Sequence, residues 1–141
     1  MFNQPFEKRL SLWREFRNSL EDSESPMQDT INFWNSAPLV SIQADPYDSS
    51  TWPDAWEIIH ENIFCSFVKI LAICYTLQLT ERFSHEPFEI HITQDTNESQ
   101  TYYLLIIDNW VIGYDMNKII LKSDLPNSIE TMFYKEMPAL S

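Results

Sequence analysis

The segment from Ile63 to Leu79 constrains this chain more than any other. Ile63, Phe64, Phe67, Val68, Ile70, Leu71, Ala72, Cys74, Tyr75, Leu77 and Leu79 fall around nearly the whole circumference of a helix at 3.6 residues per turn. A surface helix shows one apolar stripe, whereas a helix that is apolar all round must be covered on all sides. Ser66, Lys69, Thr76 and Gln78 interrupt the run, which favours a buried helix over a membrane span. The chain has 141 residues, enough to wrap one such rod and too few for a second sizeable core. The expectation is a single domain, 1–141, wrapped around one central helix, with 1–50 as a helical and loop extension and 51–141 as the core.

Other elements can be placed around the rod. Leu10, Trp13, Phe16 and Leu20 share one stripe of a first helix over Glu7–Leu20. Ser25-Pro26-Met27-Gln28 is a helix start, with Ser25 as cap, Pro26 at the first position and Gln28 closing a capping box. Ala37–Trp52 is a loop. Pro53 opens another helix with Asp54 and Glu57 in its first turn, and a break near Asn62 leaves Asn62 capping the central helix. Phe88, Ile90 and Ile92 alternate in a strand. Thr101–Ile107 and Trp110–Tyr114 follow, joined by a turn at Asp108-Asn109, and Lys118–Lys122 extends the sheet. Asn127 with Glu130, and Ile129, Met132 and Phe133 facing inward, suggest a last helix. The fold class is α+β: N-terminal helices, a central buried helix on a small antiparallel sheet of three to four strands, and a C-terminal helix.

Charge and composition narrow the function. Net charge is −12, from 21 acidic and 9 basic residues. Phosphate binding needs clustered Lys and Arg, so nucleic acid is excluded as a partner, and anionic membrane surfaces are disfavoured for the same reason. A basic protein partner is compatible, and so is mimicry of nucleic acid by surface carboxylates. One glycine in the whole chain cannot build a Gly-rich phosphate loop, so no nucleotide cofactor is expected. No CxxC, HExxH or close His pair is present, and Asp45, Asp48 and Asp54 lack the glycine and terminal Glu of a calcium loop, so no metal is expected. No apolar run opens the chain. Cys65 and Cys74 are nine residues apart, too far to bridge along one helix, and read as reduced thiols of a cytoplasmic protein.

Cys65 is the one candidate nucleophile. About one turn into the buried helix it would feel the positive end of the dipole, which lowers a thiol's pKa. A buried cysteine is also an ordinary small hydrophobe. A nucleophilic thiol needs a base within hydrogen-bond reach and a group to orient that base. His60, His85 and His91 are the available histidines, and Asp108 and Asp115 the nearest acids to strand ends. Trp13 and Trp34 could serve packing or an interface.

The stretch from Trp52 to about Leu125 resembles the bacterial transglutaminase-like cysteine proteinase family. The likeness lies in Trp52-Pro53-Asp54-Ala55-Trp56-Glu57, in Cys65 ahead of the Leu71–Leu79 helix, and in the strands at Phe88–Asp95, Thr101–Asp108 and Trp110–Asp115. Short chains encoded by tailed phages are also similar. The family resemblance implies a papain-like architecture with Cys65 as nucleophile and Asp115, less well Asp108, as the terminal acid. The sequence departs from the family around the thiol. The polar surround becomes Ile63-Phe64-Cys65-Ser66-Phe67, and the position expected to hold His falls on Thr101 or Tyr102. An apolar surround raises a thiol's pKa and blocks access. The leading expectation is therefore a non-catalytic protein-binding or accessory protein on a degenerate scaffold, in the cytoplasm or, if phage-encoded, in the host or virion. The alternatives are a thiol hydrolase or acyl-transfer enzyme using Cys65, His91 and Asp115, and an acidic nucleic-acid mimic.

Overall fold

A computed structural model describes residues 1–39 and 44–140; part of the expected Ala37–Trp52 loop, at 40–43, lies outside the described residues. The central rod is α4 (Ser66–Gln78), and every side chain from Phe67 to Gln78 is buried. It starts later than expected. Asn62 takes the left-handed conformation (φ 56°, ψ 38°) and ends the preceding helix, α3 (Ala55–Glu61), instead of capping the next. Asn tolerates that conformation better than most residues, and its Nδ2 donates to the Phe2 carbonyl at 2.7 Å. Cys65 then stands at the N-cap of α4 in extended backbone. At the start of α3 a full capping box forms between Asp54 and Glu57, with Pro53 just outside it.

Two N-terminal helices, α1 (Phe6–Leu20) and α2 (Pro26–Asn35), pack on this frame. Trp13 and Trp34 each donate an indole N–H to Thr76 Oγ1 at 3.0 Å. The Thr76 hydroxyl donates in turn to the Ala72 carbonyl at 2.6 Å. These tryptophans are core, 1% and 0% exposed, and mark no interface. Arg9 is buried and donates to the Ile59 and His60 carbonyls. It thereby satisfies last-turn groups of α3 that have no partner within the helix. Ser25 caps α2 by position only: its side chain makes no cap hydrogen bond. Gln28 does not close a box; it donates to Asn32 and to the Asn117 carbonyl.

The sheet has five antiparallel strands in the order β4-β3-β2-β1-β5. They are β1 (Phe88–Asp95), β2 (Gln100–Ile107), β3 (Trp110–Asp115), β4 (Lys118–Leu121) and β5 (Ile129–Met137). The expected three to four strands and C-terminal helix are corrected together, because the presumed helix is β5. Ile129, Met132 and Phe133 have helical spacing only because β5 carries a bulge: Ile92 pairs with Phe133 and Thr93 with Thr131, leaving Met132 as the extra residue. Phe88, Ile90, Leu105, Ile107 and Ile112 join α4 and the N-terminal helices in one apolar cluster. Leu104, Ile106 and Val111 form a smaller cluster on the opposite face, under Tyr102, Tyr114 and Ile129.

The single glycine sits where β3 crosses closest. Gly113 has φ +113°, and a Cβ there would lie 2.2 Å from the Tyr103 carbonyl oxygen and 3.0 Å from Ile70 Cδ1. No L-residue fits that backbone and that gap without moving a strand.

Candidate functional site

The site is built at the N-terminus of α4. The Cys65 carbonyl accepts the first helical bond from Lys69 N–H at 3.0 Å, while its side chain caps nothing. Cys65 is 4% exposed, and its chain neighbours Phe64 and Phe67 are both buried. Phe67 is held edge-on by Trp52 on one side and Tyr103 on the other, at centroid distances of 5.0 and 5.3 Å. The surround is therefore as apolar as the sequence implied. The helix start differs: Cys65 is the cap residue and not a turn inside.

Tyr103 is the residue that β2 turns toward the thiol. Leu105 and Ile107 face α4, and period-two alternation puts Tyr103 on the same face. Burial pushes its phenol pKa up, and the proximity of Cys65 and then Tyr47 adds to the rise. Of the two residues that the resemblance sets at the histidine position, neither packs in the α4-side cluster as Tyr103 does. Tyr102 points to the far face and packs on Tyr114 at 5.0 Å, and Thr101 is exposed near the end of β2. Tyr103 was hidden because Thr101–Ile107 reads as an unbroken β-forming run. Counting back in twos from Leu105 finds it.

The three candidate catalytic residues, Cys65, His91 and Asp115, are not assembled. His91 follows Ile90, which shares the α4-side cluster with Cys65, so His91 projects from the opposite face. Both of its nitrogens are engaged there: Nε2 with Glu89 Oε1 at 2.8 Å and Nδ1 with Thr131 Oγ1 at 3.0 Å. A carboxylate only accepts, so Nε2 carries the proton and Nδ1 accepts from Thr131 in the neutral ring. Tyr134 stacks on the ring at 5.2 Å. The Asp115 carboxylate accepts from Asn117 N–H at 2.9 Å and closes the β3–β4 turn. Asp108 is exposed in the β2–β3 turn with φ 53°. His60 stacks edge-on with Phe6, and His85 is exposed in the loop before β1. Among the described residues no hydrogen bond reaches the Cys65 sulfur, which is a free thiol.

A cleft of about 180 Å³ opens beside the helix start, lined by Ser66, Ile70, Thr101, Tyr103, Gly113 and Met116 among others. No charged side chain lines it. Hydroxyls and an apolar floor can hold a neutral polar group, but they supply neither general base nor acid near neutral pH. Cys74, the second thiol, is buried in mid-helix, and burial pushes its pKa up.

Solved structures of LapG from Legionella pneumophila share this architecture. The calcium-bound form gives a TM-score of 0.71 at 16% identity, covering 94% of this chain and 77% of that one. The EGTA-treated form gives 0.69 at 16% identity, covering 92% and 73%. A third LapG structure gives 0.69 at 16% identity, covering 92% and 74%. The likeness establishes a transglutaminase-like α+β fold. No protein-family model and no curated protein matches the chain. The calcium named for LapG finds no ready donor set here: among the described residues no three His, Cys, Asp or Glu side chains are grouped to hold an ion. No described helix is long and apolar enough to cross a membrane.

Proposed function

We propose that this chain is a non-catalytic, protein-binding member of a cysteine-protease-type scaffold. The observation that carries this reading is the residue that β2 brings to the thiol's cluster. A cysteine nucleophile at a helix N-terminus needs an imidazole within about 3 Å to take its proton. Here Tyr103 is the polar residue that β2 contributes to the same cluster as Cys65, and burial raises its phenol pKa further from neutrality. Cys65 itself is buried, as are Phe64 and Phe67 beside it in the chain. The reading is further supported by His91 and Asp115, whose hydrogen bonds hold them away from Cys65.

A second reading has its own support. The fold shared with LapG is that of a cysteine protease, and Cys65 occupies an uncapped helix N-terminus, where partial positive charge favours a thiolate. On that reading the Cys65 thiolate adds to an amide or ester carbonyl and expels the amine or alcohol, and water then hydrolyses the acyl thioester to restore the thiol; His91 as base and Asp115 as orienter are the residues the reading requires. The two readings part in one assay. Denatured casein is incubated with the native protein and with Cys65→Ala, and new amino termini are counted by mass spectrometry. Equal, background counts are expected. Cleavage that depends on Cys65 would replace the first reading with the second.

A further inference from the structure

A groove away from Cys65 lies between α2, the loop before β1, and the β3–β4 end of the sheet. It encloses about 490 Å³, with Met27, Phe83, Trp110 and Ile119 as its apolar walls and Glu24 and Gln28 at its rim. Trp110 is 37% exposed although Val111, its neighbour, is fully buried on the opposite face. Leu121 pairs directly with Trp110 across β3–β4 and, at 41% exposed, extends the apolar surface toward the free edge of β4.

Charge decides what fits. Glu24 is the one ionisable group lining the groove. It ends an acidic link, Glu21-Asp22-Ser23-Glu24, between α1 and α2. The nearby cation, Arg82, donates through Nη1 to the Leu20 and Ser23 carbonyls, each at 2.8 Å, which anchors its guanidinium at the end of α1, and it does not line the groove. Glu21 is committed as well, accepting from the Glu81 and Arg82 amides. That leaves Glu24 and its aromatic neighbours. A half-exposed indole beside a carboxylate suits a cation carried on an aliphatic stem. A second copy of this chain is disfavoured as occupant, because each copy brings a charge of −12.

We infer that this groove docks a basic, apolar segment of a partner protein: a lysine or arginine against Glu24 and Trp110, with an aliphatic side chain seated on Met27, Phe83 and Ile119. The inference rests on the protein-binding half of the reading above. It is independent of Cys65, which does not line the groove.

The test uses the full chain and a short peptide of alternating lysine and leucine as probe. The Trp110 indole N–H resonance is assigned by its loss in Trp110→Phe and followed by NMR during titration. The expected result is a saturable shift of that resonance, weakened about threefold to tenfold in Glu24→Gln and not produced by the glutamate–leucine counterpart. An unmoved Trp110 signal would overturn the inference. So would equal binding of the two peptides, or an affinity unchanged in Glu24→Gln. Because no step involves the thiol, failure here leaves the casein assay to judge the non-catalytic reading separately.

Discussion

Thr76 shows how much one hydroxyl can organise. It accepts from two indoles of two different helices and returns its own proton to Ala72, so each lone pair and the hydrogen are used. Thr76→Val keeps the shape and orphans two buried N–H donors. The expected cost is about 2–5 kcal/mol in urea unfolding, while Thr76→Ser keeps the partners and costs about 1 kcal/mol or less. Tyr103 is the corresponding residue for chemistry. If it occupies the place where the scaffold holds a base, Tyr103→His puts an imidazole beside the Cys65 sulfur. Alkylation of native Cys65 at pH 7 should then rise about tenfold, as the thiolate fraction grows. An unchanged rate would mean that Tyr103 is packing and not a replaced base.

Among the elements, β3 depends on its glycine more than any other strand. Gly113→Ala demands both a rare backbone angle and space already taken by the Tyr103 carbonyl. A loss of at least about 2 kcal/mol is expected in thermal unfolding, with the cleft distorted because β2 and β3 must part there. The same scale shows what the residues disclosed in advance. The rod was legible because apolar side chains on every side of a helix admit only one environment, and all of Phe67–Gln78 is buried. The first strand was legible because Phe88, Ile90 and Ile92 alternate without interruption. The last strand was not. Met132 shifts the alternation by one, and a bulged strand with apolar residues at positions 129, 132 and 133 has the spacing of a helix. At the site, the apolar surround of Cys65 was visible in Phe64 and Phe67. The place of Tyr103 on the α4 side was not, since it depends on which face of β2 meets α4.

Taken as a whole, the molecule buries ionisable groups whose protonation must report on folding. Cys74, Tyr75 and Tyr103 all have raised pKa values, in each case chiefly through burial. Such groups contribute stability that is full below their unfolded values, 9.0 for the thiol and 10.0 for the phenols, and that is lost as pH rises beyond them. Lys69 opposes this: burial lowers its pKa, so its contribution improves as pH climbs toward 10.5. Because the raised groups outweigh Lys69 in this range, the urea midpoint is expected to fall above about pH 9, with the onset moved toward pH 10 in Cys74→Ala. A midpoint flat to pH 11 would deny that these groups are buried together. The central claim, a sealed thiol without a proton acceptor, is tested most directly by timing iodoacetamide modification of Cys65 in the native protein from pH 5 to 9, with the site identified by mass spectrometry. Modification that waits for unfolding at every pH is the expected result. Rapid labelling of the folded chain with a midpoint below pH 7 would contradict it.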